Sequence, residues 1–380
     1  MADPRFENRP TVLEVNLDAI RRNAEKLKRH AAGASLLAVV KADAYGHGAV
    51  QVASALERSS LAEWFGVALL EEAVVLREAA IERPILMLGP LHPSQARAAL
   101  HHRLTPAIYN LEILEAVSQA SERRPVSIHL KVDSGMGRLG FRPEELPAAL
   151  EAFSSRPWLK VEGVFSNLAS ADDPGSPQTD SQIASFKEML SAVRAAGHDP
   201  EWIDLANSSG LLAHPESRFK MVRPGLTLYG LRPSAKLPDI SLETAAAFKT
   251  IVIQVKNLPE GVPVGYGASY VTPKPQKVGI LPIGYADGLP RCAGNGRGHV
   301  LVRGKRCELL GRVSMDLCAV DLDAVGPVDA GEPVTLWGRD GGESLTPADW
   351  AAWSGTIPYE ITTHINHRVA RRYLLDDKWT

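Results

Sequence analysis

One lysine, placed directly after a strongly apolar run, is the residue best suited to covalent chemistry. The run Leu36–Val40 is followed at once by Lys41 and then by a glycine-rich turn, Tyr45–Gly48. Five consecutive apolar residues are typical of a strand that is buried on both faces in a parallel sheet. A lysine at the end of such a strand loses hydration, so its pKa falls and its free amine can attack a carbonyl group. The alternative is that Lys41 simply extends its side chain into solvent.

The elements around Lys41 predict a barrel that would place it at one rim. Short apolar runs alternate with helical patterns through the first part of the chain. Eight strands separated by helices over about two hundred residues favour a closed (β/α)₈ barrel over an open doubly wound sheet. The strands are predicted at Leu36–Val40, Trp64–Leu69, Pro84–Leu88, Thr105–Tyr109, Val126–Val132, Val161–Phe165, Glu201–Ala206 and Met221–Tyr229.

A second domain is predicted where this alternation ends. Residues 1–240 are assigned to the barrel and residues 241–380 to a β-rich domain, because short strands and Pro/Gly turns replace the helices. One of these strands is expected at Val262–Tyr270. An early strand, residues 11–17, falls outside the eight and could pair with the second domain, and Asp18 is expected to cap the helix that follows it.

Polar loops after the predicted barrel strands supply the other candidates, because functional groups lie at the carboxyl ends of the strands in such barrels. Lys131–Gly140 follows the fifth strand, Ser166–Asp172 the sixth, Ala206–Gly210 the seventh and Arg223–Leu226 the eighth. The last two loops could bind a phosphate through hydroxyls and backbone N–H groups. A nucleophilic lysine opposite a phosphate cradle describes a site for the aldehyde cofactor pyridoxal phosphate.

The second domain contributes tyrosines and histidines whose roles are open from their spacing alone. Tyr266 lies between two glycines and could act as an acid or base near a cationic cofactor, or it could be an ordinary tyrosine at a turn. His364 and His367 have a spacing that two metal ligands could use, but no third ligand pattern accompanies them. We therefore assign these histidines a structural role and predict no metal.

Composition restricts the class of protein. The chain has 380 residues, 45% of them hydrophobic, and a formal net charge of −2. This length accommodates two full cores, and the balanced charge gives no reason to expect a nucleic-acid partner. Three cysteines without a CxxC pair indicate a reducing compartment. The polar start Met1–Glu7 and the lack of a long apolar run predict neither a secretory signal nor a membrane span. We expect a soluble cytoplasmic protein.

Taken together, these segments resemble the alanine racemases. The segment Val40–Gly48 is similar to their cofactor-lysine signature, and the resemblance continues in the same order over nearly the whole chain. The further matching segments are Lys131–Gly140, Ala206–Gly210, Met221–Gly230, Gly265–Gly267, Gly284–Gly288, Gly311–Asp316 and Thr356–Glu360.

The resemblance implies a homodimeric, pyridoxal-phosphate-dependent isomerase that interconverts L- and D-alanine and supplies D-alanine for peptidoglycan. Lys41 would hold the cofactor and exchange the α-proton on the D face of the substrate. Tyr266, reaching in from the partner subunit, would exchange the proton on the L face. Removal on one face and return on the other is the requirement for racemisation.

The same resemblance implies roles for further residues. Arg138 and Met315 would contact the substrate, and Arg223 would bond the pyridine nitrogen. Lys131, in the family often a carbamate, would orient Arg138. Asn167 would lie beside the cofactor ring, where the family usually has a histidine. Tyr45, Ser208, Gly225, Leu226 and Tyr359 would hold the phosphate. Asp172, Tyr285, Arg291 and Asp316 would support or line the entrance.

Three other functions fit parts of this pattern. A serine or broad-specificity racemase would share the architecture, since selectivity depends on pocket shape. A non-catalytic pyridoxal-phosphate-binding protein would not need the second domain. A barrel decarboxylase would share the two-domain plan, but its usual glycine-rich phosphate loop and cysteine motif are not seen in this sequence.

Overall fold

The chain folds into two units, which the computed structural model describes over residues 8–379. The barrel unit consists of residues 20–44 and 49–243, and the β unit consists of residues 8–19, 45–48 and 244–379. Met1–Glu7, on which the expectation of no secretory signal rests, lies outside the described residues.

Eight parallel strands of the barrel unit form a closed barrel, which confirms the predicted (β/α)₈ fold. Strands are numbered in chain order, with Val12–Asn16 of the β unit as β1. Because the barrel strands are covered by side chains on one face and by helices on the other, most of their residues are buried. They are β2 (Ser35–Val39), β3 (Trp64–Val67), β4 (Ile85–Met87), β5 (Thr105–Ile108), β6 (Val126–Lys131), β7 (Leu159–Phe165), β8 (Trp202–Asn207) and β9 (Met221–Arg223).

One helix precedes β2, and further helices connect the barrel strands. Their bounds are Leu17–His30, Ala49–Arg58, Leu70–Glu78, Ala96–His101, Leu111–Ala120, Leu146–Ser154, Pro177–Ala195 and Ser208–Ala213. The first helix corrects one expectation: its cap is Asn16, whose Oδ1 accepts the N–H of Ala19 at 2.8 Å, while Asp18 lies inside the first turn.

The eighth predicted strand, Met221–Tyr229, was too long. Strand β9 ends at Arg223, because Pro224 has no N–H to continue a ladder and fixes its own φ. Leu226–Tyr229 instead forms a 3₁₀ helix that ends at Gly230, whose φ of 78° is left-handed. The register of β2 with β9 (Leu36 beside Val222) closes the barrel.

The β unit is built on one eleven-stranded sheet within the described residues. Strand β1 lies between β10 and β20, antiparallel to the first and parallel to the second. The remaining strands are β10 (Ala246–Ile251), β11 (Gln254–Leu258), β12 (Pro263–Val264), β13 (Tyr270–Val271), β14 (Gln276–Leu281), β15 (His299–Val302), β16 (Lys305–Leu310), β17 (Cys318–Asp321), β18 (Pro333–Asp340), β19 (Glu343–Leu345), β20 (Ala370–Leu375) and β21 (Lys378–Trp379). Helices span Pro347–Ser354 and Pro358–Thr363.

The strand predicted over Val262–Tyr270 is wrong in its centre. Strands β12 and β13 form a separate two-stranded hairpin, and a 3₁₀ turn, Tyr266–Ala268, joins them. Gly265 and Gly267 have φ of 74° and 72°, a left-handed conformation that side chains oppose. The two glycines therefore break the strand and present Tyr266 at the tip of the hairpin.

Two further observations concern the helices and the cysteines of the described residues. Across residues 8–379, no helix is both long enough and apolar enough to cross a bilayer. All three cysteines are free, and burial raises the pKa of the Cys307 and Cys318 thiols to about 12. Cys292 is exposed, so it does not fill the core as the other two do.

Candidate active site

Lys41 follows the carboxyl end of β2 and begins a strained turn. Ala42, Asp43 and Ala44 have φ values of 52°, 52° and 53°, all left-handed although none is glycine. Each such residue costs roughly 1–2 kcal/mol. Hydrogen bonds hold the turn; among them, Ala44 donates its N–H to the Val40 carbonyl at 2.9 Å, and Asp43 Oδ1 accepts the N–H of Ala49 at 2.8 Å. These bonds hold the backbone from which the Lys41 side chain leaves the strand.

The Lys41 side chain lines a cavity of about 430 Å³ at the carboxyl ends of the barrel strands. This volume suits a small-molecule ligand. Four of the side chains in its wall are basic, and none is acidic. The lining residues are Lys41, Ala68, Leu88, Gly89, Pro90, Lys131, Arg138, Leu139, Phe165, Asn167 and Arg223. A larger cavity of about 960 Å³ adjoins Arg138 but is not lined by either lysine.

Burial and neighbouring positive charge lower the pKa of the two lysines in the cavity. Burial lowers the pKa of Lys41, and Arg138 and Arg223 lower it further against the opposing charge of Glu72. Burial also lowers the pKa of Lys131 well below its usual value, with Arg223 adding to the effect. Lys131 is only 6% exposed, and its Nζ lies 4.8 Å from the centroid of the Phe165 ring. Both amines are thereby made more available as neutral groups.

Arg138 lies in a loop that is held by hydrogen bonds to Asp133. The Asp133 carboxylate accepts the N–H groups of Gly135, Met136 and Arg138 at 2.9, 2.7 and 2.9 Å. Burial of Asp133 opposes ionisation, but these bonds outweigh it and lower the pKa of the carboxyl. Lys131 Nζ donates to the Val132 carbonyl at 3.4 Å. The sequence alone does not single out Asp133, because a carboxylate in a charged loop gives no sign of which N–H groups it accepts.

Arg223 is buried at the end of β9 and paired on one side. It forms an ion pair with Asp204 of β8, which is fully buried. Its Nη2 donates to the Ser166 carbonyl at 2.7 Å and to Asn167 Oδ1 at 3.3 Å. Burial, with the charge of Arg138, lowers the pKa of Arg223 to about 9. The guanidinium therefore stays charged at neutral pH.

Asn167 is half-buried beside Arg223, and its side-chain amide bonds residues of two different loops. Besides accepting from Arg223, its Nδ2 donates to the Leu168 carbonyl at 3.0 Å and to Met136 Sδ at 3.3 Å. This amide connects the loop after β7 with the Arg138 loop after β6. The structure thus brings Asn167, Arg138 and Arg223 to one cavity, as the sequence predicts for neighbouring strand ends.

Ser208, Gly225 and Leu226 also lie together. The first N–H groups of the helix that begins at Ser208 already have an acceptor. The Ser208 hydroxyl accepts the N–H of Gly225 at 2.9 Å and lies 3.1 Å from Thr227 Oγ1. Asn207 caps the helix Ser208–Ala213, because its Oδ1 accepts the N–H groups of Ser209 and Gly210. The hydroxyl is therefore a better candidate for binding an anion than the first N–H groups of this helix.

The remaining candidates in the β unit fall into two groups. Tyr45 and Tyr359 pack together, with ring centroids 6.0 Å apart. Tyr285 and Met315 are neighbours, since Tyr285 donates its N–H to Ser314 and Ala286 donates to the Met315 carbonyl, each at 3.0 Å.

The other candidate residues are exposed to solvent within the chain. Tyr266 is 71% exposed and Met315 is 52% exposed. Asp316 is exposed and pairs with Arg368 at 2.7 Å, and Arg291 is exposed. Asp172, in the barrel unit, is exposed as well.

Two sequence models of one family match this chain consecutively. Residues 15–233 match the alanine racemase N-terminal domain, and residues 245–373 match the alanine racemase C-terminal domain. The two matches follow one another without overlap and together cover most of the chain.

Full-length relatives carry the same name. The chain is 43% identical over 368 residues to an alanine racemase of Symbiobacterium thermophilum, covering 96% of this chain and 97% of the relative. It is 41% identical to one of Carboxydothermus hydrogenoformans, covering 96% and 100%. The alanine racemase of Bacillus anthracis, solved with bound L-Ala-P, superposes with a TM-score of 0.92 at 37% identity, over 98% of this chain and 97% of that one.

Proposed function

Because the chain belongs to the alanine racemase family, we propose that it is a pyridoxal-phosphate-dependent isomerase that interconverts L-alanine and D-alanine. The observation that carries this proposal is the cavity lined by Lys41, Lys131, Arg138 and Arg223 without an acidic side chain. Such a wall suits a ligand with both phosphate and carboxylate groups. A cytoplasmic role in supplying D-alanine for peptidoglycan belongs to the same proposal.

The residues of the cavity fit this cofactor. Lys41 offers an amine of lowered pKa, which is the form that reacts with an aldehyde. Arg223 would donate to the pyridine nitrogen and, being charged, would keep that nitrogen unprotonated. Ser208, Gly225, Leu226, Tyr45 and Tyr359 would hold the phosphate, and Asn167 would lie beside the ring. Pyridoxal phosphate, when bound, withdraws electrons from the α-carbon of the amino acid and so acidifies its proton.

Two bases would complete the reaction. Lys41 Nζ would take or return the α-proton on the D face, and the Tyr266 hydroxyl would do so on the L face. Arg138 would orient the substrate through its carboxylate, and Met315 would contact it through the backbone. Lys131 would support Arg138, and Asp172, Tyr285, Arg291 and Asp316 would line the entrance.

A partner subunit would supply Tyr266 and Met315. Both are exposed within the chain, together with the apolar Val271, Leu317 and Ile357 of the same unit. A catalytic tyrosine that is largely open to water is poorly placed for proton transfer, and a second copy of the chain would cover it. We therefore propose a homodimer in which each site combines the barrel of one subunit with Tyr266 of the partner subunit.

Mixing two inactive variants tests the shared site. Lys41→Ala and Tyr266→Ala chains, allowed to exchange subunits, are expected to recover about a quarter of wild-type racemisation, because half the dimers are mixed and each has one intact site. Lys41→Ala mixed with Arg223→Ala is the control and is expected to recover nothing, since both changes lie in the barrel. Native mass spectrometry verifies exchange. Mixed dimers without recovered activity would contradict the shared site.

The Asp133 carboxylate offers a test of how Arg138 is positioned. Asp133→Ala is expected to raise the KM for alanine about tenfold or more, because the loop that presents Arg138 loses three hydrogen bonds. Asp133→Asn retains one acceptor oxygen and should cause a smaller increase. Steady-state kinetics measures both, with Arg138→Lys as the reference for a direct loss. A KM that is unchanged in Asp133→Ala would show that the loop holds its shape without this carboxylate.

Optical rotation tests the function itself. Purified protein with pyridoxal phosphate is expected to remove the rotation of D- and L-alanine solutions alike, and more slowly that of serine and lysine. Faster loss with serine would indicate a serine racemase. Cofactor binding without loss of rotation would indicate a binding protein, and release of carbon dioxide would indicate a decarboxylase.

A further inference from the structure

Glu72 makes more contacts than a helix cap requires. It lies in the first turn of the helix Leu70–Glu78, and its Oε2 accepts the N–H groups of Leu69 at 3.0 Å and Ala68 at 2.7 Å. These two bonds close the start of its own helix. Its Oε1 reaches a different loop and accepts the N–H of Ala42 at 2.7 Å. That N–H belongs to the residue directly after Lys41.

We propose that Glu72 is a positioning residue for Lys41, which it fixes by fastening the left-handed turn after the lysine to the start of the following helix. This inference rests on the proposed function, because it assumes that Lys41 is the reacting amine. Glu72 itself is absent from the lining of the cavity and would touch neither substrate nor cofactor.

The conformation of the turn explains why such a bond is needed. Ala42, Asp43 and Ala44 all adopt positive φ, and alanine and aspartate relax readily to right-handed backbone when nothing opposes it. Relaxation at Ala42 would rotate the peptide that leaves Lys41 and redirect its side chain. The charge-assisted bond from the Ala42 N–H to the carboxylate holds the strained form at the point next to the lysine.

Glu72 also acts on the charge of the amine. The ionic groups that influence Lys41 are Arg138 and Arg223, which lower the pKa of the lysine together with burial, and Glu72, which raises it. Removing the negative charge therefore leaves two cations unopposed. The Lys41 amine is then expected to lose its proton at lower pH than in the unmodified chain.

Competitive acetylation of the full chain, freed of cofactor, measures this effect at Lys41 by mass spectrometry across a pH series. In Glu72→Gln, the midpoint of Lys41 labelling is expected to move to lower pH by about half a unit or more. Glu71→Gln is the matched control, since it removes the same negative charge from the exposed neighbouring residue. In the holoenzyme, Glu72→Gln is expected to lower kcat about 10- to 100-fold with little change in KM.

A second variant separates the effect of the negative charge from the effect of the side-chain length. Glu72→Asp keeps the carboxylate at the helix start but is one methylene shorter, so it is expected to restore most of the labelling midpoint without restoring kcat. If Glu72→Gln shows the labelling midpoint and kcat of Glu71→Gln, the proposal is wrong. It is also wrong if Glu72→Gln loses only thermal stability. A wild-type chain that fails to racemise alanine would instead overturn the proposed function, and the labelling experiment would still report on the effect of Glu72 on the Lys41 amine.

Discussion

Replacement of Lys41 by alanine is expected to reduce alanine racemisation by at least about 10³-fold, because it removes both the cofactor attachment and one of the two bases. The visible absorbance of the protein with pyridoxal phosphate should disappear at the same time. Lys160→Ala, an exposed lysine on β7, is the control and should retain both properties. Kinetics and an absorbance spectrum before and after adding D-alanine make the comparison.

Chemical trapping identifies the lysine directly. Borohydride reduction of the wild-type protein with cofactor, followed by peptide mapping, is expected to find the label on the peptide that contains Lys41. The cavity holds a second amine of strongly lowered pKa, Lys131, which is the obvious competitor. A label on Lys131, or an absorbance band that survives in Lys41→Ala, would show that the wrong lysine has been assigned.

Replacement of Tyr266 by phenylalanine is expected to impair exchange of the α-proton far more for L-alanine than for D-alanine, by about 10²-fold or more. The hydroxyl would be the only base on the L face, whereas Lys41 would still serve the D face. Net racemisation cannot reveal this difference, because the equilibrium constant ties the forward and reverse rates together. The difference is revealed by exchange of the α-proton in D₂O, which NMR follows separately from each enantiomer.

Tyr270 supplies the control for this second experiment. It lies in the same hairpin, is half-buried, and donates its hydroxyl to Gln276 at 2.7 Å. Tyr270→Phe is expected to affect exchange from both enantiomers equally and slightly. Equal losses for the two enantiomers in Tyr266→Phe would contradict the assignment of Tyr266 to one face.

The barrel could be predicted because its signals are local. Strands such as Leu36–Val40 are buried on both faces, and their continuous apolar runs alternate with helical patterns. Both patterns can be recognised without knowing which distant residues they contact. The errors have local physical causes as well. Pro224 ended β9 early, and the two glycines around Tyr266 broke a strand that alternation alone had extended. Asn16 caps the helix in place of Asp18, since two polar residues only two positions apart offer the same signal.

The supporting carboxylates could not be predicted. Glu72 has the spacing of an ordinary helix cap, and only the fold brings the Ala42 N–H to its second oxygen. Asp133 resembles any acidic residue in a glycine-rich loop until its three N–H partners are seen. The pairing of β1 with β20 joins residues from opposite ends of the chain, and no local pattern specifies it. Residues that act through others are found only from geometry, whereas Lys41 could be proposed from its position after a strand.

The four basic side chains of the cavity wall have a consequence for folding as well as for catalysis. Positive charge on one of them disfavours positive charge on the others, and an anion bound between them would relieve this repulsion. A ligand that binds only the native chain raises its thermodynamic stability in proportion to the logarithm of its concentration over its dissociation constant. An anionic ligand of this cavity is therefore expected to protect the chain against unfolding and proteolysis.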